Sequence, residues 1–156
     1  MSTSNEQRIR LSRPVVESSE RGARELADAY WSEIGRITLG LVRAKATRGG
    51  TELALVGALS LLRFGGPEVS TTADHVECRF PITGGALAKR SGGSLTIAQH
   101  AGPSPELVVT VEDYAPRLDS GRQHGGLRTL AYRRLQLPVH AAIGERYLNR
   151  MAARSA

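Results

Sequence analysis

A chain of 156 residues has the length of one ordinary domain, enough to bury roughly two thirds of its unfolded surface. Its 40% hydrophobic and 23% charged residues exclude a disordered chain, and a single cysteine, Cys78, excludes an internal disulfide framework. Aromatics at only 4% argue against a platform for stacking single-stranded bases.

The net charge of +6 equals the excess of residues 115–156 alone, where eight arginines stand against Asp119 and Glu145. Such a stripe attracts phosphate, anionic lipid or acidic protein, or simply solvates a helix face. Met1–Arg13 is polar and holds three arginines, unlike a secretory leader, and the longest apolar run, Leu53–Leu62, is ten residues. That is about half of what a helix needs to cross a bilayer. The expectation is a cytoplasmic protein with no membrane span, one domain over 1–156, and a flexible lead over 1–8.

Ile9–Leu11 alternates like a short edge strand and Pro14 ends it. Ser18 and Ser19 offer an N-cap, and Ala23, Leu26, Ala27, Tyr30 and Trp31 follow helical spacing, which predicts a helix over about 17–32, weakened by Gly22 in its first turn. The period then falls to 2. Ile37, Leu39 and Leu41 alternate in one phase and Val42, Ala44 and Ala46 in the other, as a β-bulge near Gly40 would allow. Arg48-Gly49-Gly50 makes a turn, and Thr51–Phe64 reads as one long strand or two short ones parted near Gly57.

Val69–Thr72 and Val76–Ile82 form a predicted hairpin around Ala73-Asp74-His75, with Val76, Cys78, Phe80 and Ile82 on the apolar side. Leu95 and Ile97, then Leu107, Val109 and Val111, mark two more strands. Short strands without intervening helices favour an antiparallel sheet. Residues 117–126 have the composition of a mobile loop, and helical spacing resumes at Leu127, Leu130, Ala131 and Leu135, with Pro138 kinking or restarting the helix before Val139, Ile143, Tyr147 and Met151. The predicted fold class is α+β: a curved, mainly antiparallel sheet packed on a long C-terminal helix, with an N-terminal helix.

The sequence contains no dinucleotide, nucleophile-elbow or P-loop signature, and the glycines of Gly84–Gly93 are misplaced for a phosphate cradle. His75, His100, His124 and His140 lack the close pairing of a metal site, so neither metal nor cofactor is expected. Cys78 falls on the apolar parity of its strand and reads as a core residue. The same parity carries two polar residues onto the inner face, Gln99 after Leu95 and Ile97, and Asp113 after Val109 and Val111. Tyr132, His140 and Tyr147 lie on or beside the apolar stripe of the C-terminal helix.

The order of the edge run Ile9–Leu11, the helix, the sheet region Ile34–Tyr114 and the helical tail Leu127–Ala153 resembles the helix-grip superfamily of START lipid-transfer domains, pathogenesis-related plant proteins and aromatic polyketide cyclases. Two features differ: one helix stands where the family has a short pair, and Pro138 falls within the tail helix. The resemblance implies an apolar cavity between sheet and tail. The leading expectation is therefore a small apolar molecule as partner, with Gln99, Asp113, Tyr132, His140 and Tyr147 as its polar contacts. An alternative is a cyclase or dehydratase type of enzyme in that cavity, with His140 as base and Asp113 as orienter or acid. A third is an adaptor whose arginine-rich tail docks an acidic partner or nucleic acid, though nucleic acid is disfavoured.

Overall fold

The computed structural model describes residues 4–55, 59–85, 92–112 and 127–156, with the backbone alone for Leu59 and for residues 127–140. Strand β1 (Ser4–Arg10) leads into helix α1 (Glu20–Ile37). Seven strands follow: β2 (Val42–Thr47), β3 (Gly50–Leu55), β4 (Leu59–Gly65), β5 (Glu68–Thr71), β6 (His75–Gly84), β7 (Ser94–His100) and β8 (Glu106–Glu112). Helix α2 (Leu127–Ser155) closes the order.

Among the described residues every strand pairing is antiparallel, in the order β1-β8-β7-β6-β4-β3-β2, with β5 also on β6. The register resolves the apparent branch. β5 borders Val76–Arg79 and β4 borders Ile82–Gly84, so the two occupy one lane of the sheet, interrupted at Gly66-Pro67. Proline cannot donate to the ladder, and the break falls where it stands. Bulges at Leu53/Ala54 and Arg63/Phe64 bend the sheet on this side. Helices over the inner face of such a sheet give the helix-grip arrangement that the element order suggested.

The core follows from strand parity. Val76, Cys78, Phe80 and Ile82 of β6, Leu95 and Ile97 of β7, and Leu107 and Val109 of β8 are all buried. α1 covers them with Ala23, Leu26, Ala27, Tyr30 and Ile34, and α2 with Ile143, Tyr147, Leu148 and Met151. Burying each large side chain stabilises the fold by about 1.5–3 kcal/mol.

Local chemistry fixes the ends of α1. Ser19 caps it, its Oγ accepting from the Gly22 N–H at 3.1 Å. Gly22 is required there for space: a Cβ would stand 1.9 Å from the Glu17 carbonyl oxygen. At the other end Gly40 N–H donates to Gly35 O (2.7 Å) and Leu39 N–H to Arg36 O (3.2 Å). These two bonds make a Schellman motif with Leu39 at the left-handed position, φ 53°.

Several expectations need correction. α1 runs to Ile37, because Tyr30, Ile34 and Ile37 continue its helical stripe. The phase change at Gly40 is consequently a helix–strand junction, and the bulges lie in β3–β4 and β4–β6 instead. β1 begins at Ser4, so residues 4–8, expected as a flexible lead, pair with β8 from the start. α2 is continuous from Leu127 to Ser155, so it does not restart at Pro138. The expected loop at 117–126 lies outside the described residues, as do positions 86–91 of the glycine-rich stretch.

Candidate functional site

The inner face of the sheet is lined by aromatic rings more densely than the composition suggests. Five of the seven aromatic residues form one chain of contacts. Tyr147 of α2 meets Tyr30 of α1 edge-on at 5.2 Å, and Tyr30 meets Trp31 at 5.5 Å. Trp31, the sole tryptophan, rests on Phe64 of β4 (5.2 Å) and Phe80 of β6 (5.1 Å). Both phenylalanines are buried while Trp31 is only half-buried. Three of the four pairs are edge-to-face, and such pairs add about 0.5–1.5 kcal/mol each beyond their area.

The candidate polar residues fare differently. Gln99 is fully buried on the inner face, as its parity predicted, and all of its amide is engaged with backbone. Its Oε1 accepts from Val15 N–H (2.7 Å) and Val16 N–H (3.2 Å), and its Nε2 donates to Val16 O (2.8 Å). It clamps the segment before α1 onto β7. Tyr147 is likewise buried, and its hydroxyl donates to Leu26 O at 3.0 Å, tying α2 to α1. Burial raises the Tyr147 and Tyr30 hydroxyls above their ordinary pKa range, so both stay protonated. Asp113 lies outside the described residues, and for Tyr132 and His140 only the helical backbone is described.

Cys78 is buried in β6, and desolvation pushes its thiol up to about 11, which keeps it protonated and unreactive. Glu33, just 1% exposed, sits between Arg36 (3.5 Å) and Arg150 (2.8 Å) and joins the two helices, though the Arg150 approach is not aligned as a hydrogen bond. One arginine of the tail stripe is thereby employed in the fold.

Sequence spacing missed a histidine pair. Register places His75 of β6 opposite His100 of β7, with their Nδ1 atoms 3.1 Å apart and Glu77 3.4 Å from the Nε2 of His75. The residues are 25 apart in the chain, so only strand pairing brings them together. Among the described residues no three metal-capable side chains converge.

An open groove of about 690 Å³ runs along Pro14–Ser18 beside Arg21, Glu25, Ala73 and Ala101. A second depression, about 430 Å³, lies over Glu33, Arg146, Asn149 and Arg150. Neither lies between the sheet and α2. Beneath Ile143–Met151 that space is filled by the core side chains already named.

No family model matches the chain, and no curated protein matches it. Among solved structures it is similar to the crystal structure of Ara h 8.0201, with 11% identity over 98% of this chain and 99% of that one, at a TM-score of 0.46. At that score the likeness carries no weight, and the fold rests on the strand order and register above.

Proposed function

We propose that this chain binds one small apolar molecule between the sheet and the helices, with Trp31 in its wall. The observation that carries this reading is the half-open indole beside a buried floor of Phe64 and Phe80. Pockets for small molecules have this composition, apolar walls with a few placed polar groups. The neighbouring inner-face residues Leu53, Ile82 and Leu95 extend the apolar floor across β3, β6 and β7.

In this reading Asp113, Tyr132 and His140 supply polar specificity. His140 precedes Tyr147 by seven residues and Tyr132 precedes His140 by eight, spacings that keep all three near one stripe of a helix. Gln99 and Tyr147 offer such a ligand no free polar atom, since theirs are already spent on backbone.

The test is a titration with 1-aminoanthracene, an uncharged apolar fluorophore, read through Trp31 emission. Saturable one-site quenching is expected, with affinity changed about fivefold or more in Asp113→Ala and an unaltered thermal melt. Absence of saturable quenching in the folded wild type would remove the reading.

A further inference from the structure

The junction between α1 and β2 presents an apolar tip that the core does not explain. Leu39 is 91% exposed and Leu41 is 58% exposed, the two most exposed large hydrophobic residues among those described. Leu39 also holds a positive φ of 53°, a conformation that favours glycine. The tip is nevertheless firmly built. The Schellman bonds fix its backbone, Thr38 Oγ1 donates to Ile34 O (2.8 Å) and accepts from Val42 N–H (3.1 Å), and Arg43 Nε donates to Gly40 O (3.1 Å).

Around it the charge is mainly positive, although Glu33 lies 3.5 Å from Arg36 and Glu52 stands opposite Lys45 on β3. Residues 34–51 contain Arg36, Arg43, Lys45 and Arg48 and no acid, and all four cations are exposed. β2 is an edge strand, and its outward row of Arg43, Lys45 and Thr47 follows directly on Leu41. Cations on an edge strand guard against unwanted strand pairing, which accounts for the charges but not for the leucines.

From the two together we infer that this tip docks the protein on an anionic lipid surface, the leucines entering the interface and Arg43, Lys45 and Arg48 meeting headgroups. A projecting apolar tip suits a fluid bilayer, which deforms around it, whereas duplex nucleic acid has no use for the leucines. The attraction of anionic headgroups for juxtaposed cations adds to the apolar term and is screened by salt. This inference stands apart from the internal ligand site and shares no residue with it.

The experiment is co-sedimentation of the full chain with vesicles of phosphatidylcholine alone or with about one third phosphatidylserine. Binding is expected to the anionic vesicles, weakened several-fold between low and physiological salt. The double variant Leu39→Ser/Leu41→Ser should bind about tenfold more weakly or worse, and Arg43→Glu/Lys45→Glu likewise. Leu39→Gly guards against misfolding: relieving the backbone should raise its melting temperature while still weakening vesicle binding. Three results would overturn the inference: no sedimentation with anionic vesicles at low salt, undiminished binding by the double-leucine variant, or equally strong binding to duplex DNA that survives loss of the leucines.

Discussion

Replacing Gly22 by Ala exchanges a poor helix former for the best one, a gain of about 1 kcal/mol on propensity alone. Here the added methyl would stand 1.9 Å from a backbone oxygen of Glu17, so Gly22→Ala is expected to destabilise by about 1–3 kcal/mol in chemical denaturation. Leu39→Gly should do the opposite, stabilising by about 1 kcal/mol, because its side chain leaves no buried contact and its φ of 53° suits glycine. Cys78 adds a pH dependence. Its folded pKa of about 11 lies above the ordinary 9.0, so below pH 9 both states keep the proton and stability does not respond. Between about pH 9 and 11 the unfolded thiol ionises first, and stability falls by at most about 2–3 kcal/mol. Denaturation of wild type and Cys78→Ala across that window should show the fall in the former and its attenuation in the latter. That Cys78 is a core residue was legible from strand parity; the need for Gly22 was not, because Glu17 meets it only once the chain has turned into the helix.

At the scale of elements, legibility depended on whether the signal was local. β6 was readable because Val76, Cys78, Phe80 and Ile82 alternate without interruption, and burial follows that parity. The α1–β2 junction was not, since the residue at the left-handed position is Leu39 and the glycine comes one place later, which imitates a change of strand phase. The lane shared by β4 and β5 needed the register on β6. For the candidate site the same distinction holds. Parity placed Gln99 on the inner face, but its partners Val15 and Val16 lie 84 and 83 residues away, so its role as a clamp could not be read. Gln99→Leu should leave two N–H groups and one carbonyl without partners, a loss of about 2–4 kcal/mol by denaturant midpoint. Because the clamp sets the approach to α1, that variant should also change Trp31 emission before unfolding.

At the level of the whole molecule, the described residues form one sheet and two helices that divide the work. α2 lies against β1 and β8, α1 against β2, β5, β6 and β7, and neither helix backbone approaches β3 or β4 among the described residues. Trp31 spans that wider side by reaching Phe64. The sparse aromatic content, taken from composition alone as a mark against base stacking, is concentrated at this one place. Among the described residues no helix is long and apolar enough to cross a membrane. An apolar molecule seated against Trp31 would be reported by one resonance. As the sole tryptophan, Trp31 gives a single indole N–H cross-peak in a ¹H–¹⁵N correlation spectrum. On titration with 1-aminoanthracene that peak is expected to shift and saturate at one equivalent; a peak that stays in place, or drifts without saturating while the protein remains folded, would show that no apolar ligand seats against Trp31.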